Sequence, residues 1–147
     1  MKLSTKARYG VRAMLTLALD YGKGAVPLRS VASRQDVSVK YLEHLMAALR
    51  SAGLVRSVRG THGGYCLARP PGQVDLREVV RALEGSIAPV DCVDDPGVCD
   101  RSDGCAARDV WKRMEQAVSD VLCSTTLEDL VRNQAECDRP GPAMYQI

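Results

Sequence analysis

The chain has 147 residues, 46% of them apolar, enough for one core and an accessory element. Its net charge of +2 conceals a division: residues 1–70 hold 12 Lys and Arg against 3 Asp and Glu, residues 71–147 hold 8 against 15, and the halves carry +9 and −7. A basic front half suits a nucleic-acid partner and an acidic rear half stays off phosphates; no apolar run is long enough to span a bilayer, and no nucleophile–base pair, phosphate loop or pair of catalytic carboxylates argues for an enzyme.

Ala7, Val11, Met14, Leu15 and Ala18 recur at helical spacing and predict a first helix, entered near Ser4 or Thr5 and ended by Gly22 and Gly24. Lys2, Lys6, Arg8 and Arg12 precede only a short apolar stretch, Ala13 to Leu19, stopped by Asp20. No targeting segment is read there, and a cytoplasmic location is expected. A short apolar segment, Leu28 to Arg34, leads to the turn Gln35-Asp36-Val37, and Ser38 is a good N-cap for a helix over Val39 to Arg50 with Leu42, Leu45, Met46 and Leu49 inward. Two short helices across a tight turn read as helix-turn-helix.

The N-terminal end of a recognition helix is the part that reaches base edges, which singles out Ser38, Lys40, Tyr41 and Glu43. Lys40, Lys2 and the helix N-terminus suit phosphate oxygens, and Tyr41 and Ser38 can do the same. Glu43 can accept from a cytosine amino group and disfavour sites that offer no donor. Leu54 to Arg59 alternates apolar and polar, Gly60-Thr61-His62-Gly63-Gly64 is turn chemistry, and Tyr65 to Leu67 makes a return strand: a wing, with Arg59 placed for a narrow minor groove. Asp75 and Glu78 predict a capping box for a helix that buries Leu76, Val79, Val80 and Leu83 and closes at Gly85.

Cys92, Cys99 and Cys105 follow, spaced C-x6-C-x5-C among Asp91, Asp94, Asp95, Asp100 and Asp103, with Arg101 the one basic neighbour. Bare thiolates are disfavoured in such surroundings. A bound cation reverses this, because it deprotonates its own thiol ligands, and soft sulfur selects iron–sulfur clusters, zinc or copper(I). Zinc sites favour C-x2–4-C pairs, and this spacing has none. Cys66, Cys123 and Cys137 are isolated and are expected to be structural, as small buried hydrophobes.

From Ala106 a long helix carries Val110, Met114, Val118, Val121 and Leu122 on one stripe with Trp111 beside it, which predicts pairing with the same helix of a second subunit. Thr125 and Glu128 predict a capping box for a last short helix through Asn133, and Arg139-Pro-Gly-Pro a disordered tail. The expected organisation is mainly α: a winged helix-turn-helix DNA-binding domain over residues 1–85, a cysteine-bearing, cluster-binding loop over 86–105, a long dimerisation helix and terminal helix over 106–135, and a tail over 136–147.

The start Met1-Lys-Leu-Ser-Thr-Lys-Ala-Arg-Tyr9, the run Ser38 to Glu43, the wing Ser57 to Tyr65 and the cysteine loop together resemble the Rrf2 family of transcription regulators, through to about Gln134. The likeness is strongest to its iron–sulfur cluster regulators. It implies a winged-helix homodimer on double-stranded DNA with a cluster held by Cys92, Cys99 and Cys105. One position departs: cluster-binding members carry a histidine three residues after the last cysteine, where this chain has Arg108. Nitric-oxide-sensing members use an acid from the first helix of the other subunit, where this chain has Arg8. His44 and His62 both lie in the basic half, which leaves Asp109, Asp103, a subunit-crossing acid or an exogenous ligand. Three protein ligands suit a [4Fe–4S] cluster and a [2Fe–2S] cluster usually takes four, so the cluster type stays open. A cluster-free, thiol-responsive regulator and an iron–sulfur electron carrier stand as the alternatives.

Overall fold

A computed structural model describes residues 2–141. Among these residues are seven α-helices and one two-stranded antiparallel sheet: α1 (Thr5–Leu19), α2 (Leu28–Gln35), α3 (Val39–Ser51), β1 (Val55–Val58), β2 (Gly64–Leu67), α4 (Leu76–Glu84), α5 (Asp91–Asp94), α6 (Ala106–Cys123) and α7 (Leu127–Cys137). Met14, Leu17, Leu42, Met46, Leu49, Leu54, Leu67 and Leu127 are the largest fully buried side chains, so the core lies among α1, α3, the sheet and the start of α7. No helix of the described residues is long and apolar enough to cross a membrane.

The N-cap of α1 is Ser4, whose hydroxyl accepts from the Lys6 amide at 3.1 Å. The buried face of α1 is centred on Ala13, Met14 and Leu17, with Ala7, Gly10 and Ala18 beside them. Val11 and Leu15, expected at the middle of the stripe, are half-buried at its flanks. The small residues explain the shift: Gly10 lets α4 approach so closely that a β-carbon there would lie 2.1 Å from Leu83 Cδ1.

The wing pairs Val55 with Leu67 through Val58 with Gly64. Its return strand is stitched to the α1–α2 connection, because the Val26 amide donates to the Tyr65 carbonyl at 2.8 Å and the Tyr65 amide donates back at 2.9 Å. Only a glycine tolerates this seam, since at φ +151° a Gly64 β-carbon would stand 2.1 Å from the Val26 carbonyl oxygen. Backbone cannot rotate away as a side chain can. Gly64→Ala is therefore expected to destabilise the protein by about 1–3 kcal/mol, the cost of overpacking a closed site. A chemical-denaturation midpoint equal to that of the unchanged protein would count against the seam.

Two caps differ from expectation. The terminal capping box uses Thr126 and Asp129, with the Asp129 amide donating to Thr126 Oγ1 at 3.2 Å and the Thr126 amide donating to Asp129 Oδ2 at 2.8 Å. Thr125 instead donates its hydroxyl back to the Val121 carbonyl at 2.8 Å. The cause is tertiary: an isolated bridge between Asp75 and Thr126 holds this segment extended, and the fully buried Leu127 becomes the first helical residue. The Thr126 backbone, then its hydroxyl, then Arg132 hold the Asp129 carboxyl below its ordinary pKa. That contribution is present above the usual carboxylate range and is lost as pH falls through the lowered value. At α4, Asp75 accepts from the Glu78 amide at 2.9 Å, while Glu78 turns to Arg69 at 2.8 Å and leaves half a capping box.

The cysteine segment is more ordered than a plain loop, with α5 followed by single 3-10 turns at Pro96–Val98 and Ser102–Gly104. α7 runs past Asn133 to Cys137, so the helix enters the expected tail. Residues 142–147 of that tail lie outside the described residues.

Candidate DNA-binding face and cysteine segment

The α2–α3 turn closes on Asp36, a left-handed residue at φ 53° and ψ 48°. Aspartate is among the few side chains that enter this region readily. The amides of Asp36 and Val37 donate to the Ser33 and Ala32 carbonyls, which delivers the chain to Ser38. Ser38 caps α3 by accepting from the Tyr41 amide at 3.1 Å. Beyond the cap, Lys40 and Glu43 are exposed on the first turns of α3, and Arg59 is exposed at the wing turn. Lys2 is exposed ahead of α1.

Tyr41 differs from its neighbours in being half-buried. Its ring stands edge-on to Tyr9 with centroids 6.1 Å apart, and its hydroxyl donates to Thr5 Oγ1 at 3.4 Å. This contact brings the N-terminal ends of α1 and α3 onto one surface, with Lys2 ahead of one and Lys40 on the other. The guanidiniums of Arg8 and Arg12 lie 5.8 and 5.6 Å from the Tyr9 ring centre, so the same aromatic pair carries two more cations. Arg8, Tyr9 and Arg12 were not picked out as interface candidates from sequence; an aromatic residue flanked by arginines at helical spacing was the available signal.

A second unforeseen contact anchors this surface. Glu84, the last residue of α4, accepts from the Ser4 amide at 2.9 Å and from the Ser4 hydroxyl. It ties the start of α1 to the point where Gly85 turns the chain toward the cysteines. The two residues are 80 positions apart, beyond the reach of any local pattern.

Cys92 is half-buried on α5, Cys99 is exposed, and Cys105 is half-buried at the N-cap position of α6. The three share one segment, yet among the described residues no three His, Cys, Asp or Glu side chains gather into a metal-sized group. Arg108 donates from Nε to the Cys92 carbonyl at 2.7 Å, so the residue that departs from the expected histidine fastens α6 to α5. Between Cys99 and Cys105, Ser102 is buried with a hydroxyl that has no partner in the structure. Asp103 and Asp109 are exposed.

The isolated cysteines divide. Cys66 is half-buried in β2, while Cys123 and Cys137 are exposed and fill no core position. They end helices with few fully buried positions: α6 has none, and α7 has only Leu127, with Leu130 and Val131 half-buried against the core. On α6, Val110, Met114 and Val121 are 47%, 39% and 65% exposed while Val118 and Leu122 are half-buried, so one edge of the apolar stripe is uncovered among the described residues.

A winged helix with a basic face followed by a cysteine segment and an uncovered apolar helix is thus in view. The Rrf2 family model, described as an iron-dependent transcriptional regulator, matches residues 3–133. The chain belongs to the Rrf2 family. The HTH-type transcriptional regulator CymR of Bacillus subtilis is 45% identical over 130 residues, 88% of this chain and 89% of that protein. The HTH-type transcriptional regulator IscR of Xenorhabdus nematophila is 41% identical over 138 residues, 94% of this chain and 84% of that protein. The solved structure of T. potens IscR superposes with a TM-score of 0.80 at 41% identity, covering 99% of this chain and 96% of that one. This Rrf2 protein is accordingly a winged-helix transcription regulator of a DNA-binding family. Its similarity to CymR and to IscR is of comparable extent, so the role of the cysteines rests on this chain's own chemistry.

Proposed function

We propose that this Rrf2 protein is an iron–sulfur-cluster-containing regulator that binds a pseudo-palindromic operator as a homodimer, with cluster state modulating DNA affinity. The observation that carries it is the set of Cys92, Cys99 and Cys105 on one short acidic segment between the winged half and α6. The donor set fits an iron–sulfur cluster by its chemistry: three soft thiols, and beside them the unpartnered hydroxyl of Ser102, a donor of the kind that tunes cluster sulfurs. These residues would hold the cluster, which supplies sensitivity to iron, oxidants or nitric oxide. The chain's own part is transmission. The segment runs from Gly85, next to the Glu84 anchor of Ser4, to Cys105 at the start of α6, so it adjoins both the DNA-facing surface and the helix that sets dimer geometry.

On DNA, Lys2, Lys40, Ser38 and Tyr41 position the protein on phosphates, Glu43 discriminates bases, and Arg59 enters the minor groove. The test is operator binding by matched cluster-loaded and cluster-free protein at fixed salt, since phosphate contacts make affinity steeply salt-dependent. The two forms are expected to differ by about 1–3 kcal/mol, the usual range of coupling between sites. Arg59→Ala should weaken both forms alike, whereas Glu43→Ala should relax base preference by about 1–3 kcal/mol at its contact. Equal affinities of the loaded and free forms for every operator would remove the regulatory role of the cluster.

A second reading has its own support. The thiols are not gathered, Arg108 is committed to the Cys92 carbonyl, and CymR is among the similar proteins. A cluster-free regulator responding through its thiols accounts for these facts, and colourless, iron-free protein from anaerobic preparation would select it.

A further inference from the structure

A cavity of about 460 Å³ lies where α4, α5 and α6 meet. Arg77 and Arg81, one turn apart, line it from α4; Asp94 lines it from α5 and Glu115 and Ser119 from α6. Cations therefore occupy one wall and carboxylates the other. Among the described residues none of these four charged side chains makes an ion pair, although Glu78, next to Arg77 on α4, pairs with Arg69 at 2.8 Å. Arg77 and Glu115 are half-buried, which weakens the solvation of each charge without supplying a partner.

From this arrangement we infer that the cavity is a binding site for an α-amino-acid zwitterion, free or at the ends of a short peptide. A carboxylate on the ligand meets Arg77 and Arg81, and its ammonium meets Asp94 and Glu115. Each wall excludes what the other would attract: a simple anion is repelled by the carboxylates, a simple cation by the arginines. An apolar ligand finds little to cover, Ile87 being the one large apolar side chain in the lining. The volume falls within the range of small-molecule sites, about 300–1,000 Å³, and leaves room around a single amino acid for a peptide. A bound zwitterion would bridge α4, whose last residue holds Ser4, to α6, whose other face is the uncovered stripe. The site thus offers the winged half and the pairing helix a shared small-molecule input, and Asp94, on the same short helix as Cys92, places it beside the cysteine segment.

Saturation-transfer NMR on the intact protein tests this with a mixture of the neutral L-amino acids and, separately, with tri-L-alanine. The controls are the same amino acids N-acetylated, which lack the cation, and as amides, which lack the anion. Saturable transfer to one or both zwitterionic samples is expected, with each control bound about tenfold or more weakly. The two arms distinguish a free amino acid from a peptide. Arg81→Gln and Glu115→Gln should each weaken binding by about tenfold or more, with thermal unfolding in the absence of ligand unchanged. Both positions face the cavity, so folding should survive. Transfer to the blocked controls equal to that of the zwitterions, binding untouched by both substitutions, or no saturable transfer to any zwitterion would overturn the assignment.

Discussion

Anaerobically prepared protein is expected to be brown, and Cys92→Ala, Cys99→Ala or Cys105→Ala each to remove most of its iron and sulfide. The three thiols share one segment, and a cluster held by three protein ligands cannot spare one without exposing an iron site to solvent and exchange. Loss of fold does not explain such a result, because Cys99 is exposed and surface substitutions usually change stability by no more than about 0.5 kcal/mol. Cys123→Ala and Cys137→Ala are the matched controls: both thiols are exposed, both sit at helix ends outside the segment, and both variants should keep their iron. Cys66→Ala should do so too. Equal iron loss from the two groups of variants would show that the metal was bound unspecifically. The assay also separates the two readings of the segment, since a thiol-responsive regulator loses its response in the same variants without ever having contained iron.

What could be seen in advance divides along a physical line. Helix caps, turns and stripes are local, because they depend on residues three or four apart, and Ser4, Ser38, Asp75 and the wing turn were legible for that reason. The capping box at Thr126 was displaced by one residue because burial of Leu127 and the bridge to Asp75 outweigh a pattern that Thr125 satisfies equally well. In α1 the closeness of Gly10 to Leu83 moved the buried face toward the smallest side chains, an effect that hydrophobic periodicity cannot register. The candidate site shows the same division. Cys92, Cys99 and Cys105 stood out by spacing and Lys40, Glu43 and Arg59 by position, but the Tyr9–Tyr41 contact, the Glu84 anchor and the opposed charges of Arg81 and Glu115 each require elements far apart in the chain to meet. Arg108 was visible as a departure; its bond to the Cys92 carbonyl was not.

Met114→Glu and Val118→Glu are expected to convert a dimer into monomers that bind the operator weakly. Among the described residues no side chain of α6 is fully buried, and Val110, Met114, Val118 and Val121 follow one another by one turn or nearly so along a single face. Such a stripe in water is stabilised by a second apolar surface, and the simplest is its own copy across a two-fold axis. Symmetry doubles the effect of a substitution, because each change places two carboxylates in the same interface. An unpaired buried carboxylate costs several kcal/mol, so a total of roughly 4 kcal/mol, about a thousandfold in the dissociation constant, is a conservative expectation. The monomer should remain folded, since Met114 is already 39% exposed and the core lies elsewhere. Arg113→Glu, an exposed change away from the stripe, should leave the dimer intact. Operator binding should fall with assembly, because two recognition helices held about one helical turn of DNA apart read both half-sites together, and a monomer retains only one. Sedimentation and operator binding measured on the same samples give the decision: a tight dimer surviving both substitutions would place the pairing surface somewhere other than α6.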